Sequence, residues 1–362
     1  MLPALRSHPL LLTFVVLLAA CGGARPPAPT LELAATGDTI LAPYGDVTSA
    51  VWLGQRRFAV LAPQDKAVAS ADFDTHALRP WGAARTRELE QPFHLFRSGD
   101  SVYVADWLRR RLTSWSLAGA YGTALPAPDA LRGALPRERD ASGHWYFELR
   151  SAPGPDGSGN RDSATIARFD AGLIHGDTVA RLAPFDLAEV ISDGRRRLER
   201  RLLSGQDRWG ILADGTVWVA RIKENRVDWR GPDGKWHEGA SLPDPVLPIT
   251  QNDRDLFLNQ FDTDLRPTVE AIPFAAIKAP FEQAVVATDG MAWLMKSRSV
   301  GDTIRGYQLI DQQGHLVATA RHAGLGRLLA LSDSLALVGE HYEGGTRLLL
   351  FRLPVRSTPG GA

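Results

Sequence analysis

Apolar and polar positions along the chain alternate in short bursts separated by polar breaks. The stretch "ILADGTVWVARIKENRVDWRGPDGKW" (residues 211–236) contains the pattern whole: an apolar run, an Asp-Gly pair, a strand-like run, a polar break, a second run, a second Asp-Gly pair and a third run. In Thr216-Val217-Trp218-Val219-Ala220 the β-branched and aromatic residues alternate with period two, which predicts a strand. The Asp-Gly pairs supply the positive φ that tight hairpins need.

The unit recurs. Residues 287–321 repeat it, with Asp289-Gly290 in the place of Asp214-Gly215 and Trp293 in the place of Trp218. Residues 97–125 carry "VYVAD" where the first unit has "VWVAR", and residues 330–353 form another copy. Two weaker copies lie at residues 49–81 and 141–182. None of these units can bury both faces of its own sheet. Arranging them radially does so and leaves few exposed edges. Six units predict an all-β fold, a six-bladed β-propeller over residues 30–356. The last unit has no outer strand after it, so the strand-like "TLELAAT" (residues 30–36) is expected to complete the sixth blade by pairing near Leu348 to Leu353 and to close the ring. Two long connectors, residues 183–207 and 243–283, are expected to be partly helical inserts. In the second, Thr250 and Asp253 have capping-box spacing, Leu258 and Phe261 share a helical face, and Pro267 is expected to end the helix.

The N-terminal segment breaks this pattern. Arg6 precedes an apolar run of about 11 residues, too short for a bilayer that needs roughly 20. The run ends at Leu18-Ala19-Ala20-Cys21, and Cys21 is the only cysteine in the chain. This arrangement resembles a bacterial lipobox, with residues 1–20 as signal peptide and Cys21 as the lipidated residue. Residues 21–29, rich in Gly, Pro and Ala, read as a flexible tether, and residues 357–362 as a disordered tail. Gly22 after the cysteine resembles the outer-membrane class of lipoprotein. The expected location is therefore the outer membrane, facing the periplasm or the cell surface, with the membrane contacted through the N-terminal lipid.

Charge is balanced, with 41 basic and 41 acidic residues among 362, so the chain lacks the cationic surplus of a dedicated nucleic-acid binder. The nine histidines show no metal-ligand spacing. Asp156, Ser158, Asn160 and Asp162 alternate as in a calcium loop, but Arg161 and Ala167 stand where such a loop needs Gly and Glu, and a polar hairpin tip accounts for them better. No G-x-S-x-G or P-loop pattern occurs. The cluster Arg195, Arg196, Arg197, Arg200 and Arg201 lies beside Asp193 and Glu199 and reads as a solvated face. Asp106, at the end of a strand, and Asn225 and Asp228, in the matching region of the first unit, are the candidate channel or loop binding residues; turn and sheet roles suffice for each.

The units resemble six-bladed propellers of NHL-repeat type, in which a segment similar to "DSVYVAD" recurs, and especially bacterial secreted or lipid-anchored propellers of unassigned function. The missing catalytic motifs, the tether and the inserts point to a binding or scaffold module for a protein or glycan, with no cofactor expected. Six-bladed propellers also include gluconolactonases and streptogramin lyases. Likeness to these implies the alternative of a metal-dependent hydrolase or lyase, its divalent cation held by side chains in the central channel. The fold does not choose between the two.

Overall fold

In the computed structural model, residues 28–82, 89–131, 133–149, 164–192 and 194–353 are described. Cys21, the signal segment, most of the tether, the calcium-like stretch from Asp156 to Asp162 and the C-terminal tail lie outside them. The described chain enters with β1 (Thr30–Glu32) and β2 (Ala34–Ala42). Blade one follows with β3 (Ser49–Gly54), β4 (Arg57–Ala62), β5 (Ala67–Asp72) and β6 (Ala77–Pro80). Blade two has β7 (Pro92–Ser98), β8 (Ser101–Asp106), β9 (Arg111–Ser116) and β10 (Tyr121–Pro126). Blade three has β11 (Pro136–Arg139), β12 (Trp145–Leu149), β13 (Thr165–Phe169) and β14 (Gly176–Arg181).

A hairpin of β15 (Leu187–Ser192) and β16 (Arg195–Arg200) precedes blade four, which has β17 (Arg208–Ile211), β18 (Val217–Arg221), β19 (Arg226–Arg230) and β20 (Trp236–His237). Two short helices, α1 (Gln251–Leu258) and α2 (Arg266–Glu270), come next. Blade five has β21 (Phe281–Val286), β22 (Ala292–Lys296), β23 (Ile304–Ile310) and β24 (Leu316–Ala323). Blade six has β25 (Arg327–Leu331), β26 (Leu335–Tyr342) and β27 (Gly345–Arg352).

The Asp-Gly signal has the expected cause. Gly215 and Gly290 take φ of +86° and +79°. Asp214 and Asp289 each accept the amide N–H two residues on, at 2.9 and 3.0 Å. The alternating runs that follow, Val217–Arg221 and Ala292–Lys296, are second strands, buried on both sides. Six apolar clusters occupy the six junctions between blades, the last joining Val60 and Phe58 of blade one to Leu337 and Leu348 of blade six. The ring is closed, and the fold is the six-bladed propeller read from the repeats.

Closure differs from expectation in which residues perform it. The outer strand of blade six is β2, antiparallel to β27, with Ile40 opposite Leu348 and Ala34 opposite Arg352. Of residues 30–36, only Ala34 to Thr36 belong to that strand. Thr30–Glu32 instead runs parallel to β24 as a fifth strand of blade five, with Leu31 opposite Ala320. Leu31 and Leu33 still face the same way, into the apolar cluster between blades five and six. The N-terminus therefore fastens two blades.

The inserts also differ from each other. The first is a two-stranded hairpin and not a helix: Leu187 to Ser192 alternates, and Gly194 turns at φ +70°. The second holds both helices, and the capping box of Thr250 and Asp253 is formed. However, α1 stops at Leu258, and Pro267 lies in the first turn of α2. Proline lacks an N–H, which costs nothing in a first turn, so it starts a helix here where it was expected to end one.

Candidate functional site

Four antiparallel strands return the chain to the side from which it started. All outer-to-inner connections, and all turns between second and third strands, therefore lie on one face of the ring. Both inserts are outer-to-inner connections, so both decorate that face. The first strands β3, β7, β11, β17, β21 and β25 adjoin one another around the channel, and each begins at the same decorated face.

Polar side chains from these first strands gather near the mouth. His94 Nε2–H donates to the carbonyl of Arg137 at 2.7 Å and lies 3.9 Å from Glu138 Oε1. Arg137 Nη1 donates to Glu148 Oε2 at 2.5 Å, and Trp209 Nε1–H donates to the same oxygen at 3.0 Å. The Arg137 guanidinium also lies 5.8 Å from the centre of the exposed Phe93 ring. His94 and Glu138 keep 26% and 24% of their side-chain surface, yet both are so enclosed that charge is disfavoured on them. Burial pushes the Glu138 carboxyl up to about 8 against the pull of Arg137. Burial, then the Arg137 charge, pushes His94 down to about 3. At neutral pH Glu138 is a proton donor and His94 is uncharged.

Beside the mouth, the decorated face holds a cleft of about 550 Å³ between the base of the hairpin, α1 and the β22–β23 turn. Arg208 and Glu282 start first strands and line the cleft as well. Five cationic side chains and three carboxylates face it. Lys278 pairs with Asp253 at 2.5 Å, and Arg305 with Glu282 at 3.1 Å. Burial, then the charges of Arg200 and Arg137, lower the pKa of Arg208.

Asp106 lies in blade two, and Asn225 and Asp228 in the β18–β19 hairpin of blade four, and each makes contacts within the fold. Asp106 is wholly buried and accepts three amide N–H groups, from Glu90 (2.7 Å), Gln91 (3.1 Å) and Arg109 (3.1 Å), which pins the connection into blade two. Asn225 holds a left-handed turn at φ +48° and donates to Asp244 at 2.7 Å. Asp244 also accepts from Lys296 and Gln308 and so anchors the second insert to blade five. Asp228, 3% exposed, lies between Arg221 and Arg226, each at 2.9 Å. In the arginine cluster, Arg196 pairs with Glu189 and Arg201 with Asp186, both at 3.3 Å. Arg200 turns inward over the Phe185 ring at 5.1 Å.

The residues that do line the mouth, His94, Arg137, Glu138 and Arg208, were not singled out from the sequence. Their signal is weak: polar side chains in first strands that begin just upstream of each recognisable unit. Among the described residues no three His, Cys, Asp or Glu side chains gather in a geometry that holds a metal ion. No described helix is long and apolar enough to cross a membrane.

No family model and no curated protein matches the sequence. Among solved structures, the chain is similar to a putative exported protein from Bacteroides fragilis, with a TM-score of 0.50 and 9% identity over 90% of this chain and 99% of that one. It is also similar to regucalcin, a calcium-binding protein from Agrobacterium tumefaciens, with a TM-score of 0.46 and 11% identity over 91% and 96% of the two chains. A third similar structure is virginiamycin B lyase from Staphylococcus aureus, with a TM-score of 0.39 and 10% identity over 86% and 87%. At these identities the likeness is one of fold alone.

Proposed function

We propose that this propeller is an exported, lipid-anchored binding module that presents its decorated face to a protein partner. One observation carries the reading: several large apolar side chains are exposed on that face. Trp107 (61%) and Leu108 (56%) come from the β8–β9 turn, and Val246 (72%), Leu265 (56%) and Ile277 (52%) from the second insert. Exposed apolar surface concentrated on one face is the mark of a contact surface, and it favours a protein over a glycan, the other partner class expected from the sequence. Both inserts rise from this face, as does the channel mouth. Capture from membranes with the full chain, compared with a Trp107→Ser, Leu108→Ser variant, tests it. A partner retained by the parent and lost from the variant supports the reading; equal recovery by both refutes it. Anchoring is tested separately by Cys21→Ser, which should release the protein from the membrane fraction or leave the precursor unprocessed.

A second reading is favoured by Glu138 and His94. A carboxyl that stays protonated to about 8, 3.9 Å from an uncharged imidazole, has the properties of a general acid in a hydrolase or lyase. Addition of Ca²⁺, Mg²⁺ or Zn²⁺ to the purified protein, with melting temperature and turnover of lactone substrates as readouts, separates the two. Turnover lost in Glu138→Gln would displace the binding-module reading.

A further inference from the structure

The cleft beside the channel mouth has a charge balance that its own side chains do not complete. Arg200 donates to Ser204 Oγ (3.1 Å), Gln206 Oε1 (2.9 Å) and the Ser204 carbonyl (2.5 Å), all uncharged acceptors. Arg208 reaches only the Glu282 carbonyl, at 3.4 Å. Arg298 donates to the Asp302 carbonyl. None of these three guanidinium groups takes part in an ion pair among the described residues, while the carboxylates of Asp253 and Glu282 are engaged by Lys278 and Arg305. Three arginines therefore stand around one cleft without an ion-pair partner among the described residues, five cations facing three carboxylates, and Arg208 bears the repulsion of Arg200 and Arg137 against the attraction of Glu148. A surplus of positive charge in a concave site attracts anions.

The cleft is not polar throughout. Leu256 (52% exposed), Leu325 (51%), Val300 (41%) and Leu203 (37%) stand at its rim. Its volume of about 550 Å³ falls within the range of small-molecule sites. An inorganic anion would leave these apolar side chains in water. A neutral lipid or alkane would leave the arginines unmatched. The ligand that answers both has an anionic head and a compact apolar body.

We propose that this cleft is a binding site for a small amphiphilic anion, its carboxylate or phosphate head on Arg208 and Arg298 and its apolar body against Leu256, Val300 and Leu325. The cleft opens on the same decorated face as the proposed partner surface, but it rests on its own residues and its existence does not depend on that partner. Arg208 is the principal head-group donor, because it is the arginine with the weakest internal bond and stands where the cleft meets the channel. Arg200, held by three bonds, supplies fixed positive charge behind it.

Calorimetric titration of the full chain with decanoate, decyl phosphate, decanol, decyltrimethylammonium and inorganic phosphate tests the proposal. Trp209, next to Arg208, provides a fluorescence readout. Decanoate or decyl phosphate should bind at least tenfold more tightly than decanol and more tightly than inorganic phosphate, and the cation should not bind. Preference between the two binders identifies the head as carboxylate or phosphate. Arg208→Gln should weaken the anion tenfold or more and leave the melting temperature near that of the parent, since it removes one long hydrogen bond. Leu256→Ser should weaken decyl phosphate without altering the response to inorganic phosphate. Equal affinity for decanol and decanoate, unchanged affinity in Arg208→Gln, or binding of inorganic phosphate as tight as that of decyl phosphate would overturn the proposal. So would displacement of the bound amphiphile by an oligogalacturonate of higher affinity, which would make the site one for acidic glycan.

Discussion

Ring closure by β2 makes opposite demands on two neighbouring residues. Ile40 faces inward, 4% exposed, in the cluster that joins blade six to blade one through Phe58, Val60, Leu337 and Leu348. Leu41 points the other way and is 57% exposed. Ile40→Ala removes three buried carbons from a packed junction, a loss of roughly 2–5 kcal/mol, and the lower half of that range applies because an outer strand can settle toward the void. Leu41→Ala should lie within about 0.5 kcal/mol of the parent. Deletion of residues 34–42 removes the strand outright. It exposes the edge of β27, whose backbone groups would then pair with other chains, so aggregation should accompany loss of stability. Deletion of residues 28–32 removes only β1, whose burial runs exposed, intermediate, exposed, and should cost on the order of 1–2 kcal/mol through partial loss of Leu31 burial. Urea unfolding followed by tryptophan fluorescence measures the substitutions, and light scattering at rising temperature measures the deletions. If Ile40→Ala and Leu41→Ala unfold at the same midpoint, or if removal of β1 proves as damaging as removal of β2, the assignment of β2 as the closing strand is refuted.

The channel and the blade junctions yield further expectations. Glu138 is protonated in the folded chain up to about 8 but ionised in the unfolded chain above about 4.5, so folding takes up a proton and stability falls as pH rises from 4.5 to 8. The shift sets a ceiling of roughly 5 kcal/mol, and access of solvent through the channel reduces the expected value to about 2 kcal/mol. Glu138→Gln should flatten that decline and stabilise the protein at pH 8 and above; an unchanged slope of unfolding free energy against pH would contradict it. His94 works in the opposite window: neutral in the fold down to about 3, it costs stability as pH falls below 6.5, and His94→Gln should lessen that acid-side loss in the same assay. Asp106→Ala leaves three amide donors without their acceptor and should cost about 2–4 kcal/mol, with Asp106→Asn losing less, while ligand binding at the cleft stays as in the parent.

Much of the fold was legible because its signals are local. A run such as Thr216-Val217-Trp218-Val219 with an Asp-Gly turn before it carries its strand, its turn and its inward face within a few residues, and six occurrences amount to an architecture. Closure was legible only in outline. Thr30 and Thr319 are 289 residues apart, and their pairing is parallel, so no turn or alternation marks it. Leu31 and Leu33 fit the junction between blades five and six whichever blade the strand joins. The first insert misled because Arg and Leu also suit a helix, and only the packing of Ala188 and Val190 shows the period to be two.

The candidate site was hidden for a different reason. A search for chemistry by residue type finds Asp and Asn at strand ends first, and in this fold those are the residues most needed by turns. Asp106 spends both oxygens on amides, and Asn225 spends its Nδ2 on Asp244 and the Leu242 carbonyl. Groups free to act are those the turns do not need, and here they sit on first strands: His94 on β7, Glu138 on β11, Arg208 on β17. Each looks ordinary in its own stretch of sequence. The shifted carboxyl of Glu138 and the crowded charge of Arg208 arise only when separate blades bring their first strands to one mouth. Chemistry in a propeller is therefore a property of the ring, and residues that are strongest in a single repeat are the ones to suspect of holding it together.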